Sequence, residues 1–228
     1  MNHRVMPAGD SAWLVELPDR IDAAVNARAV EIARLVERSQ LPVDDIVVGY
    51  RSVMVYVDAL SPAAGEAEAV LERIAASASG EAAVSGAERD VPVCYDDDYG
   101  PDLPDVAAFA ACSVDDAIAR HLGREYRVYV VGFVPGFAYM ASVDPSIAAP
   151  RRASPRLKVP PGSVGIAAGQ TGIYPAATPG GWHLVGRCPI RPYDGSRREP
   201  FLFRPGDRVR FHRISEAEYR ATSEWGDA

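Results

Sequence analysis

Four neighbouring segments in the second half of the chain hold the residue types that could bind or transform a small molecule. The first is 132–140 (GFVPGFAYM). It interleaves glycine and proline with Phe133, Phe137 and Tyr139, a composition that suits neither a helix nor a central strand. Glycine permits close approach of a backbone or a ligand, and aromatic rings make flat apolar walls. Two readings are open: a pocket-lining or interface loop, or a tightly packed connection between strands. The second segment, 150–160 (PRRASPRLKVP), concentrates Arg151, Arg152, Arg156 and Lys158 in an acidic protein. Prolines hold it extended, so Arg152, Arg156 and Lys158 can share one side. Guanidinium forks suit carboxylates and phosphates, which makes anion binding the favoured reading. Pairing with the protein's own acids, or a solvated charged loop, is the alternative.

The third segment, 161–175 (PGSVGIAAGQTGIYP), sets Gln170, Thr171 and Tyr174 among glycines. It lacks the Lys-Ser/Thr ending of a phosphate loop and does not fit the dinucleotide fingerprint. Gln170 and Tyr174 offer hydrogen bonds to an amide-type ligand; the glycines themselves read as hairpin turns. The fourth, 178–186 (TPGGWHLVG), turns at Pro179-Gly180-Gly181 and presents Trp182 and His183. His183 is the candidate general acid or base. Unless a carboxylate partners it, a hydrogen-bonded structural role takes precedence. No nucleophile elbow, Ser-His-Asp order or paired-carboxylate motif accompanies these segments.

The elements that would carry them fall into two halves. In the first, Ala12 to Leu17 reads as a strand. Asp22 caps a helix with Val25, Ala29, Ile32 and Val36 on one face. Strands at 46–48 and 53–57 flank a turn, and Ser61-Pro62 starts a helix bearing Ala67, Val70, Leu71, Ile74 and Ala78. A strand from Arg89 to Tyr95 follows, giving a β-α-β-β-α-β order of ferredoxin-like type, although this last strand could belong to either half. The small and polar stretch 77–87 (SASGEAAVSGA) reads as a linker. The expected domains are therefore 1–85 and 86–228. In the second half, Asp102 precedes a helix from Leu103 to Ala111. Ser113 with Asp116 forms a capping box for a helix from Val114 to Leu122, and Gly123 ends it. Then come short strands punctuated by Gly and Pro: 126–131, 163–167, 172–174, 183–185, 201–203 and 209–214. That spacing indicates a barrel or sandwich. The expected class is α+β.

Composition removes several functions. The formal net charge of −7 disfavours nucleic acid as the main partner. Cys94, Cys112 and Cys188 are odd in number and widely spaced, and His3, His121, His183 and His212 are scattered. They read as reduced thiols and isolated imidazoles, with no metal-ligand motif. Asp96-Asp97-Asp98 reads as a solvated loop, with metal binding as the lesser alternative. No apolar stretch serves as a signal or a membrane span, so a cytoplasmic protein is expected.

Several ordered motifs then point to one family. They are 99–103 (YGPDL), His121, 132–139 (GFVPGFAY), 150–152 (PRR), 155–156 (PR), 159–164 (VPPGSV), 170–175 (QTGIYP), 179–182 (PGGW) and 205–211 (PGDRVRF). In them the chain resembles the family of the B-type subunit of 5-oxoprolinase, the Kip-type inhibitor of a sporulation histidine kinase, and allophanate hydrolase subunit 1. It departs from the family at Asp96-Asp97-Asp98, where glycines are usual, and at Leu122, where a small hydroxyl residue often follows the histidine. The resemblance implies a cyclophilin-like β-barrel for the second domain. It implies a cyclophilin-like partner, either of the Kip-antagonist type or the C-type component of 5-oxoprolinase, with a third oxoprolinase-type subunit. The activity it implies is an ATP-dependent opening of a cyclic amide by the complex, with ATP shared across the complex and this chain inactive alone. The remaining implied roles are an inhibitor module on a sensor histidine kinase and a carboxyltransferase-type domain of a urea carboxylase system.

Overall fold

The computed structural model describes residues 2–19, 22–80 and 86–225. The chain divides into two compact units, Met1–Gly86 and Ala87–Ala228. Residues 81–85 of the expected linker lie outside the described residues.

The first unit runs β1 (Arg4–Pro7), β2 (Ala12–Glu16), α1 (Ala23–Glu37), β3 (Val43–Val48), β4 (Ser52–Val57) and α2 (Ala67–Ser77). Its sheet is antiparallel in the order β1-β2-β4-β3. Asp22 caps α1 by accepting the N–H groups of Ala24 and Val25 at 2.8 and 3.2 Å. Val25, Ala29, Ile32 and Val36 all lie in the core, against Val15, Val53, Val55 and Leu71. The expected β-α-β-β-α-β order is corrected at both ends. The strand beside β2 is Arg4–Pro7, from the start of the chain, while the strand at 89–95, open to either half by sequence, lies in the second unit. Ser61-Pro62 also opens a 3-10 turn, Pro62–Glu66, rather than α2 itself, and the Ser61 side chain caps nothing.

The second unit contains β5 (Glu88–Cys94), α3 (Leu103–Phe109), α4 (Val114–Leu122), β6 (Glu125–Val131), β7 (Ala138–Ala141), β8 (Arg156–Val159), β9 (Ser163–Ala167), β10 (Gln170–Ile173), β11 (Thr178–Gly180), β12 (His183–Arg187), β13 (Arg208–Ile214) and α5 (Glu216–Thr222). Seven strands close a barrel in the order β10-β7-β6-β13-β5-β12-β9, which leaves the ring no free edge. β5 is claimed by this ring because it pairs in parallel with β13 along its whole length, from Glu88↔Arg208 to Cys94↔Ile214. The Ser113 and Asp116 side chains form the expected reciprocal cap on α4. The segment expected as a strand at 201–203 contributes only an isolated bridge, Tyr193↔Phe201.

Strand alternation sorts side chains into two cores. On β7, Ala138 and Met140 join the main cluster with Val91, Val93, Tyr126, Val128, Val164, Ile166 and the α3–α4 residues Val106 and Ile118. Phe137 and Tyr139 point to the other side. There they pack with Val159, Ala167, Tyr174, Trp182 and Leu184 in a smaller cluster. β8 and β11 pair only with each other, and Val159 of β8 contributes to this second cluster.

Candidate functional site

The second cluster is where most of the singled-out residues meet. Phe137 is its hub: its ring centroid lies 4.7 Å from Tyr139, 5.1 Å from Tyr174 and 5.4 Å from Trp182, each edge-on. Edge-to-face rings at these distances hold one another in place beyond their burial. Phe137 and Trp182 are buried, as a tightly packed connection requires. Tyr139 is half-buried. Phe133 alone of the four is largely open, at 63% exposure, with φ at +73°. Gly136 explains the loop between them. Its φ is +86°, and a Cβ there would stand 2.5 Å from the Tyr193 Cβ.

The arginine segment is anchored by a residue that the sequence alone marks only as preceding a helix. Asp102 is buried and makes no capping bond to α3. Its Oδ1 instead accepts Arg152 Nη1 at 2.8 Å and Arg156 Nη2 at 2.7 Å, and its Oδ2 accepts the Leu184 N–H at 2.7 Å. Burial pushes the Asp102 carboxyl upward, but the Arg156 and Leu184 hydrogen bonds and the charges of Arg156 and Arg152 outweigh it and hold the group below its ordinary value. Asp102 stands 50 and 54 residues from its arginines, so no local pattern announces the contact. Its place in the YGPDL motif is the only signal.

Lys158 lies on β8 with Arg156 but is exposed. Gln170 opens β10, opposite Ala141 of β7 and Ala167 of β9. Tyr174 follows the far end of that strand, about 13 Å of extended chain away, so the two do not share one spot. The Tyr174 hydroxyl faces the Gly180–Trp182 turn, where a Cβ on Gly180 would come within 2.5 Å of it. Burial, more than the bond to the Trp182 backbone offsets, pushes this phenol up to about 12.

His183 opens β12. One of its ring nitrogens and oxygens of Asp102 and Asp105 lie within 4.8 Å of one another. A carboxylate neighbourhood for the imidazole is thus present, although the buried Nδ1 has no hydrogen-bond partner. The same three residues make a poor cation site, because both oxygens of Asp102 are already bonded to cationic or N–H donors.

His121 has a different fate. It is buried inside the barrel, with Tyr95 Oη at 2.8 Å from Nδ1 and Thr171 Oγ1 at 3.0 Å from Nε2. It stacks on Phe211 at 4.9 Å. Burial drives its pKa down to about 3.

With this geometry in view, comparison with known proteins decides the family. The family model described as "Carboxyltransferase domain, subdomain C and D" matches residues 3–203. The chain belongs to that family. It is 36% identical to the B-type subunit of 5-oxoprolinase from Bacillus subtilis over 98% of both chains. It is 50% identical to the protein of the same name from Escherichia coli O157:H7, over 54% of this chain and 56% of that one. Among solved structures, TTHA0988 superposes on 90% of this chain with a TM-score of 0.77 and 35% identity. The chain spans only 40% of TTHA0988, so in that protein the same fold is joined to further polypeptide. Among the described residues no helix is long and apolar enough to cross a membrane.

Proposed function

We propose that this chain is one subunit of a heteromeric, ATP-dependent amidohydrolase that opens 5-oxoproline to glutamate. The observation that carries the reading is its end-to-end likeness to a protein named as the B-type subunit of 5-oxoprolinase. A ring amide resists hydrolysis. If ATP's γ-phosphoryl is placed on the amide oxygen, one water can add at the carbon, the ring C–N bond breaks as nitrogen takes a proton, and a second water hydrolyses the resulting acyl phosphate, releasing phosphate and leaving the carboxylate. ATP enters with the complex, and this chain supplies binding and charge stabilisation. Arg152, Arg156, Lys158, Gln170 and Tyr174 are its binding candidates, and His183, beside Asp102 and Asp105, is its candidate acid or base. The partners are a cyclophilin-like C-type component of 5-oxoprolinase and a third oxoprolinase-type subunit. Phe133, at the open edge of the aromatic cluster, suits an interface.

The matched model carries the name carboxyltransferase, which keeps carboxyl transfer to a urea-type substrate as the second reading. One experiment separates them. The chain is co-purified with the products of neighbouring genes, and the complex is assayed with 5-oxoproline, allophanate and urea, with and without ATP. ATP-dependent glutamate release by the complex, absent from each component, is the expected result. Turnover by this chain alone at the rate of the mixture sinks the subunit reading, and carboxylation of urea by the complex replaces the substrate.

A further inference from the structure

We propose that the buried chain Tyr95–His121–Thr171 is a positioning device for the aromatic cluster: it fixes the paired glycines Gly165 and Gly172, against which the Phe137, Tyr174 and Trp182 rings lie. That the cluster belongs to a substrate site rests on the functional reading above; the positioning itself does not.

His121 stands among the ordered sequence motifs, yet the binding candidates named above make no use of it. Its hydrogen bonds have only one consistent direction. A carbonyl can only accept, so the Thr171 hydroxyl, 3.0 Å from Gly165 O, gives its single proton there. Thr171 Oγ1 is then left to accept from His121 Nε2 at 3.0 Å. The imidazole is held neutral by its burial, so a proton on Nε2 leaves Nδ1 as an acceptor, and the Tyr95 hydroxyl donates to it at 2.8 Å. The chain ends on a carbonyl and cannot pass a proton onward; what it can do is hold. His121 is itself held, because its own carbonyl accepts the Tyr126 hydroxyl at 2.7 Å and its ring stacks on Phe211. Tyr95, His121 and Thr171 are all buried, so water does not compete for these bonds.

Gly165 of β9 and Gly172 of β10 are direct cross-strand partners. Strand alternation turns both away from the main core, which takes Val164, Ile166 and Ile173, and toward the cluster that takes Ala167 and Tyr174. A Cβ on Gly165 would stand 3.1 Å from the Trp182 Cβ and 3.4 Å from a Tyr174 ring carbon, and one on Gly172 would stand 3.2 Å from a Phe137 ring carbon. Three rings therefore rest on bare backbone. The neighbouring strand β12 gives this point little support. Leu184, opposite Gly165, commits its N–H to the Asp102 carboxylate and its carbonyl to the Asp102 N–H. The Thr171 hydroxyl supplies the hold from the β10 side, so a shift of Gly165 would carry Trp182 and Tyr174 with it.

Nitrogen-15 NMR of the full chain reads the relay directly. The His121 signals, identified by their loss in His121→Gln, should show the proton on Nε2 and stay unchanged from about pH 8 to 5. The Trp182 indole signal, identified by its loss in Trp182→Phe, should shift in Thr171→Val, which keeps the side-chain shape and removes the oxygen. It should return in Thr171→Ser, which restores the hydroxyl. If Thr171→Val does not fold, Tyr95→Phe takes its place, since it removes only the oxygen at the other end, and it should move the same indole signal. In the complete complex Thr171→Val should raise KM for 5-oxoproline about fivefold or more, and Thr171→Ser should bring it back to within about twofold of wild type. A shifted indole with unchanged KM would uphold the relay and sink the placement of the cluster in the substrate site. Absence of 5-oxoproline turnover in the wild-type complex would sink the functional reading and leave the relay to the NMR result. A proton on Nδ1 at neutral pH, or an unmoved Trp182 indole in the variant that folds, would overturn the proposal.

Discussion

At the scale of single residues, burial decides what His121 can do. Taken into the barrel, its imidazole is held neutral, with a pKa near 3. Both ring nitrogens are engaged by Tyr95 and Thr171, so it serves as a packed polar strut rather than a proton carrier at neutral pH. In the unfolded chain the same imidazole takes up a proton near pH 6.5. Between those values the unfolded state binds the extra proton, so stability must rise with pH. This contribution is complete above about pH 6.5 and is lost progressively as pH falls toward 3. The expected slope is up to about 1.4 kcal/mol per pH unit. Urea unfolding measured from pH 7.5 to 4.5 on wild type and His121→Gln should show that slope in wild type and a shallower one in the variant. Parallel curves would mean that other groups set the acid limit. Asp102 makes the complementary point: a buried carboxylate is tolerable only because two guanidiniums and a backbone N–H meet it, which is the condition for burying any charge.

At the scale of elements, the ends of helices show how tertiary contacts finish what periodicity begins. α2 has no basic residue in its last turn. Its terminal carbonyls are served from another helix instead: the buried Arg28 of α1 donates Nη2 to Ala75 O at 2.7 Å and Nε to Ala78 O at 3.0 Å. Arg28 stands three residues after Val25 and four before Ile32, at the margin of the buried face of α1; it is only 3% exposed, and burial pushes its pKa down. Arg28→Met keeps much of the stem's packing but strands those carbonyls. It should cost about 1–3 kcal/mol in chemical denaturation, with the loss confined to the unit that α2 belongs to. A change below about 0.5 kcal/mol would mean that water satisfies the α2 end equally well.

For the whole molecule, the division into two units has a direct consequence for cleavage. Each unit has its own apolar cluster, and the segment between α2 and β5 is rich in small and polar residues, the composition proteases favour. Limited proteolysis should therefore cut first within 77–87 and release two resistant fragments, of about 80 and about 140 residues. First cuts within 132–186 would contradict this, and would show that the glycine- and proline-rich segments of the barrel open more readily than the linker.

Much of this protein was legible from local pattern, because local pattern is where helix caps and alternation act. The α1 face, the Ser113 capping box, and the strands at 163–167 and 209–214 all follow from spacings of a few residues. The family was legible too, in motifs kept in order along the second half. Strand partnership was not. Nothing within Glu88–Cys94 says that it will pair in parallel with a segment 120 residues later rather than close the first sheet; that depends on the gap between β13 and β12 that this strand must fill for the ring to close. Nor does a run of arginines say which of them will be neutralised. Only the fold brings Asp102 across 50 residues to claim Arg152 and Arg156 and leaves Arg151 exposed, because a buried carboxylate must take whichever cations the packing delivers to it.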